Sequence, residues 1–116
     1  MITSSDTTLH FPAMPLSDSI DEIQKQLETV TNSVYRRKIV ENDDHQLLIT
    51  WQNDTTCVDY LMHIVKIRHN LYQIAFAVQK YKVIETKFDQ RMDKIAIRRL
   101  LNDPVKCVSL ILGIAG

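Results

Sequence analysis

The sequence predicts a mainly α-helical fold: a small bundle of four to five helices with one β-hairpin near residues 38–52, where a short helix capped by Asp43 or Asp44 is the alternative. Polar residues recur at steps of three and four through the long stretch 56–81. Helix-start patterns of the capping-box type precede three segments. Apolar residues follow the same spacing in 17–34 and 88–100. The alternative is an α+β fold with an antiparallel sheet formed by 38–84.

The stretch 56–81 decides between the two classes. Thr56 and Asp59 form a capping-box variant at its start. Its second half also alternates as a strand would, because every second residue is large and apolar: Tyr72, Ile74, Phe76 and Val78. Alternation fails earlier, where Ile64 and Val65 are adjacent. We therefore predict a helix whose polar stripe is Asp59, His63, Lys66, Asn70, Gln73 and Lys80.

The chain divides into an N-terminal arm, residues 1–16, and a single globular domain, residues 17–116. The arm contains Pro12 and Pro15, which favour an extended path. Its apolar side chains are costly to leave in water, so they are the candidate partner-binding residues: Leu9, Phe11, Met14 and Leu16.

Helix boundaries elsewhere follow from capping patterns. Ser19 and Glu22 start a predicted helix over 17–36, which ends at the basic residues 36–38. Thr86 begins a third capping pattern, for a helix that ends near 101. Asp103 and Pro104 then start a last helix that Gly113 ends, with a strand as the alternative over 105–112.

Composition indicates an ordinary globular protein. Charged residues make up 24% of the chain and the net charge is zero, but residues 1–56 carry four basic against nine acidic residues and residues 57–116 carry ten against five. Cys57 and Cys107 have apolar neighbours and no ligand spacing, which predicts buried free thiols in a reducing compartment. With no secretory signal and no apolar run of membrane-spanning length, we expect a cytoplasmic protein without membrane contact.

The sequence contains no recognisable catalytic signature. Its two glycines lie at 113 and 116, so it cannot form a glycine-rich phosphate loop or a nucleophile elbow. We expect no enzyme activity, no cofactor and no metal site.

His63 and Lys66 have an H-x-x-K spacing on the predicted helix. This spacing resembles part of the signature of histidine phosphotransfer domains, which are helical bundles of about this size. The resemblance implies a phosphoryl group accepted by His63 and supported by Lys66. The family has small residues after the lysine, whereas this chain has Ile67, Arg68 and His69.

The expected function is therefore non-enzymatic protein–protein interaction through an apolar surface, with self-association as a homo-oligomer such as a homodimer. Adaptor, chaperone, immunity or antitoxin protein, and enzyme inhibitor remain open within that class. Phosphotransfer through His63 is one alternative. Nucleic-acid binding is a less favoured one, through the basic residues Arg36, Arg37, Lys38, Arg98 and Arg99.

Overall fold

A computed structural model describes residues 16–114. The prediction of a helical bundle is wrong, because the fold is α+β and a five-stranded antiparallel sheet is its largest element. The strands lie in the sheet in chain order, each joined to the next by a short connection. The elements are α1 (Ser17–Thr31), β1 (Arg36–Asn42), β2 (Gln46–Gln52), β3 (Val58–Arg68), β4 (Leu71–Lys80), β5 (Val83–Met92), α2 (Lys94–Leu101) and α3 (Pro104–Leu112).

The predicted helix over 56–81 is a β-hairpin formed by β3 and β4. Met62 pairs with Phe76, and these side chains point to the helix-covered side, where both are fully buried. The opposite side of β3 carries Leu61 and Val65, so β3 is apolar on both faces and shows no simple alternation. The Thr56 cap does not form either, since Asp59 Oδ1 instead accepts the Asn53 backbone N–H at 3.3 Å.

All three helices pack against one side of the sheet. The inward side chains of the central strands include Trp51, Ile64 and Ile74, each completely buried. They form one hydrophobic core with the inner positions of the helices, among them Ile20, Ile23, Leu27, Ile97, Val108 and Ile111. This arrangement leaves the other side of the sheet uncovered by any helix or strand within residues 16–114.

Helix α1 is shorter than predicted. It ends at Thr31, and Asn32 follows in the left-handed conformation with φ 52°. The predicted capping box is absent, because the Ser19 hydroxyl donates to Asn102 Oδ1 at 2.5 Å. The basic residues expected at the helix end lie in β1.

The hairpin predicted near 38–52 is confirmed as β1 and β2. Asp43 holds its turn, because its Oδ1 accepts the backbone N–H groups of His45 at 2.8 Å and Gln46 at 3.0 Å. These two hydrogen bonds favour the ionised carboxylate and lower the pKa of Asp43.

The C-terminal helices differ in how well the sequence predicted them. Helix α2 begins only at Lys94, with Asp93 as its N-cap, and residues 86–92 belong to β5 rather than to a helix. The start and end of α3 are confirmed: Asp103 Oδ1 accepts the Lys106 N–H, Pro104 is the first helical residue, and Gly113 ends the helix at φ 70°.

Candidate protein-binding face

Of the predicted partner-binding residues of the N-terminal arm, only Leu16 is among the described residues. Leu9, Phe11 and Met14 lie outside the described residues. Leu16 is 3% exposed and belongs to the hydrophobic core, so it cannot contact a partner while the domain is folded.

The candidate phosphotransfer residues His63 and Lys66 point to opposite sides of the sheet. His63 pairs with Ala75 on the uncovered side, whereas Lys66 pairs with Tyr72, whose ring is buried under the helices. Residues three apart on a strand diverge in this way because successive side chains alternate. The helical spacing on which the resemblance depends is therefore absent.

The candidate nucleic-acid residues form two separate groups. Arg36 and Arg37 lie on β1, where they pair with Asp54 at 3.1 Å and Asp21 at 2.7 Å. Arg98 and Arg99 lie on α2, which packs against β4 and β5, at the opposite edge of the sheet from β1. Four strand spacings of about 4.8 Å separate β1 from β5, so the five residues do not make one basic patch.

The two cysteines have different environments. Cys107 is completely buried, its thiol donates to the Leu100 carbonyl at 3.0 Å, and burial raises its pKa to about 12. Cys57 is exposed in the loop before β3, with φ 59°, so the prediction that it is buried is wrong. Its neighbours in that loop are polar residues such as Thr55 and Thr56.

A further set of residues lies on the uncovered side of the sheet, which we call the open face. Its centre comprises the outward side chains of β2, β3 and β4: Leu48, Thr50, Leu61, His63, Val65, Gln73, Ala75 and Ala77. All eight are only partly exposed, and the set contains no Asp, Glu, Lys or Arg.

Charged side chains stand around this centre. Lys38 and Glu41 point outward from β1, and Asp89 and Arg91 point outward from β5. Gln73 links the centre to β5, because its amide nitrogen donates to Asp89 and its Oε1 accepts from Arg91 Nε at 3.2 Å. The open face thus has an uncharged centre and a charged margin.

The middle of the open face is a step between two strands. At two of its pairs the outward side chain of β3 is larger than the one directly opposite on β4, since Leu61 faces Ala77 and His63 faces Ala75, whereas Val65 faces the longer Gln73. A cross-strand pair places its Cβ atoms about 5 Å apart. The surface is therefore lowest at these two alanines.

His63 is the titratable group at the centre of the open face. Its Nε2 donates to Gln46 Oε1 at 2.8 Å. Partial burial lowers its pKa, and the nearby carboxylate of Glu41 opposes that shift. The net effect favours the neutral imidazole.

The apolar residues of the open face are evident in the sequence, but their pattern was interpreted as a helix. An antiparallel sheet with one wet side alternates apolar and polar residues. Here Leu48, Leu61 and Val65 are apolar on the side away from the helices. This second apolar face removed the alternation and made the stretch resemble a buried helix.

No group of three or more His, Cys, Asp or Glu within residues 16–114 is placed to hold a metal ion. Over the same residues, no helix combines the length and the apolar character required to cross a bilayer.

The chain matches no protein-family model, and no curated protein is significantly similar to it in sequence.

Proposed function

We propose that this protein is a non-enzymatic protein-binding module and that its open face is the binding surface. The observation that carries the proposal is the charge-free centre of that face inside a charged margin. Protein interfaces share this layout, since charged residues are depleted at the centre and the rim is polar. A side of a sheet that contacts only solvent would carry charged or polar residues at most outward positions.

The shape of the open face also suits a protein partner. A sheet surface is broad and has no deep cleft, and Ala75 and Ala77 make its middle shallow. Small-molecule sites are usually concave and enclose most of their ligand. A second layer of protein, by contrast, can pack on a sheet at about 10 Å.

The proposed partner is another protein, including a further copy of this chain. The exposed thiol of Cys57 and the unbridged Cys107 suit a reducing compartment, and we propose the cytoplasm. Adaptor, chaperone, immunity and inhibitor roles would each use the same surface.

A charge placed at the centre of the open face tests the proposal. Leu61→Lys puts an ammonium group beside Ala77, where a bound partner would have to desolvate it. The matched control is Val34→Lys, which adds the same charge to an apolar side chain that is 82% exposed between α1 and β1. Circular dichroism and thermal melting establish that both variants fold.

Each protein is then expressed at its native abundance and captured together with whatever it binds, and the masses of the captured complexes are measured. Wild type and Val34→Lys should form the same complexes, and Leu61→Lys should lose them. Complexes that survive Leu61→Lys unchanged, or a wild type that associates with nothing, would contradict the proposal.

A further inference from the structure

We infer that binding at the open face is switched by pH through His63: the neutral imidazole permits a protein to dock there, and the protonated imidazole opposes it. The inference rests on the proposed function and deepens it by naming how that surface is regulated. The position of His63 among the outward side chains is its main support.

His63 is the middle member of a row of paired residues that crosses all five strands of the open face. From β1 to β5 the row consists of Glu41, Leu48, His63, Ala75 and Asp89. A carboxylate therefore stands at each end of the row, two strand spacings or about 10 Å from the backbone of His63. This separation exceeds the Debye length of about 8 Å at physiological ionic strength, so the attraction of either carboxylate for a protonated His63 is largely screened.

The side chains that adjoin His63 on the open face carry no charge. On its own strand and on the two adjacent strands they are Gln46, Leu48, Thr50, Leu61, Val65, Gln73, Ala75 and Ala77. In the rows on either side, charged residues are on the edge strands, with Lys38 on β1 and Arg91 on β5. On β3 itself, Asp59 is two outward positions away from His63. Protonation of His63 would therefore place a charge in a centre that otherwise has none.

The hydrogen bond of the ring determines where the second proton goes. Nε2 donates to Gln46 Oε1 at 2.8 Å, and an amide oxygen only accepts hydrogen bonds, so Nε2 carries the proton of the neutral ring. Within residues 16–114 no group hydrogen-bonds to Nδ1. In the neutral ring Nδ1 is an acceptor, which a backbone N–H or a hydroxyl group of a bound protein can satisfy.

Protonation reverses this role of Nδ1. The nitrogen becomes a charged donor, and a protein that covers the centre would remove the water that solvates it. Burying a charge without a partner is costly, and the surrounding side chains include no carboxylate that could pair with it. The open face should therefore bind its partner more weakly when His63 is protonated.

The direction of the pH dependence follows from linkage. Partial burial already lowers the pKa of His63 in the free protein, and the carboxylate of Glu41 opposes that shift. A bound protein removes more water, so the pKa is lower still in the complex. Binding is then coupled to the release of one proton, and the dissociation constant rises as the pH falls through the pKa of the free protein, by at most about tenfold for each pH unit.

Substitutions of His63 test the switch on the full chain. His63→Gln is neutral at every pH and can still hydrogen-bond to Gln46, whereas His63→Lys keeps a positive charge at the same position. The matched control is His69→Gln, because His69 is an exposed histidine in the turn between β3 and β4. Circular dichroism at about pH 7.5 and about pH 5.5, which bracket the titration of histidine, establishes that each variant is folded at both values.

The probe is the set of proteins that the wild type captures from native extract at about pH 7.5. These proteins are eluted and titrated onto each immobilised variant at both pH values by biolayer interferometry. For wild type and His69→Gln the dissociation constant should rise by up to about tenfold at the lower pH, which is one unit below the ordinary pKa of histidine. For His63→Gln it should be the same at both pH values, and His63→Lys should bind weakly at both.

Three results would overturn the inference: a wild-type dissociation constant that does not change with pH, a rise for His63→Gln equal to that of wild type, or His63→Lys that binds as tightly as wild type at the higher pH. The proposed function is tested separately by Leu61→Lys. If Leu61→Lys loses the captured proteins while wild type shows no pH dependence, the inference alone fails. If Leu61→Lys binds them as wild type does, or wild type captures nothing, the proposed function fails and the inference fails with it.

Discussion

The turn between β4 and β5 offers a sharp test of the antiparallel sheet that replaces the expected helical bundle. Tyr81 and Lys82 connect the paired residues Lys80 and Val83, and both have positive φ, at 50° and 71°. A two-residue turn with two positive φ values favours Asn-Gly. Other residues with a side chain each cost about 1–2 kcal/mol there.

The double variant Tyr81→Asn/Lys82→Gly should therefore stabilise the protein. Relief of the two strained residues is partly offset by the extra entropy of glycine in the unfolded chain, about 0.4–1 kcal/mol. Tyr81 is 80% exposed, so little packing is lost. We expect a net gain of about 1–2 kcal/mol. For 116 residues this raises Tm by about 4–8 °C, since unfolding entropy is about 2.1 cal/mol/K per residue.

Thermal and urea unfolding followed by circular dichroism measure the effect. The matched control is Asp44→Asn/His45→Gly in the β1–β2 turn, where neither residue has positive φ. It should lose about 0.4–1 kcal/mol through glycine entropy. A Tyr81→Asn/Lys82→Gly variant that is no more stable than wild type, or a control that gains as much, would refute the turn geometry.

Three further predictions concern the thiols, the central imidazole and the core. A thiol reagent should modify Cys57 in the native protein and reach Cys107 only in denaturant, because Cys107 is buried and its pKa is raised to about 12. Mass spectrometry of the labelled peptides measures the modification of each cysteine. Rapid labelling of Cys107 in the native protein would refute this prediction. The free energy of unfolding should fall as pH drops below about 6.5. In this range His63 takes up a proton readily in the unfolded chain, but less readily in the folded protein, where its pKa is lowered. His63→Gln should reduce the pH dependence of the free energy of unfolding in that range, measured by urea unfolding. An unchanged pH dependence would contradict the role of His63. Phe76→Ala should cost about 3–5 kcal/mol in urea unfolding, because the side chain is completely buried between the helices and the sheet, and a cost below about 1 kcal/mol would contradict its burial.

The sequence predicted those elements whose signals are local. Asp103, Pro104 and Gly113 define α3 through backbone hydrogen bonding and φ preference alone, and both bounds are correct. The β1–β2 turn was found for the same reason, since Asp43 caps it with its own side chain. These residues act through neighbours in the chain, so no knowledge of the tertiary fold was needed.

The sheet was missed because its pattern depends on what covers each side. The polar spacing of Asp59, His63 and Lys66 has no common face in the structure. If only the helix-covered side of the sheet were apolar, the positions of Leu61 and Val65 would be polar, and apolar and polar residues would alternate along β3. Residues 86–92 were assigned to a helix because Thr86 begins a capping pattern and Phe88 and Met92 have helical spacing, whereas the structure has the exposed edge strand β5 there. The open face could not be predicted before the sheet itself was known.

Chemical modification of His63 tests most directly whether a protein covers the open face. Diethyl pyrocarbonate modifies accessible neutral imidazoles, and the exposed His45 and His69 serve as internal references on the same chain. In native cell extract His63 should react much more slowly, relative to these two, than in dilute purified protein. Equal relative reactivity of His63 in extract and in dilute solution would show that the open face stays in water, and the account would fail.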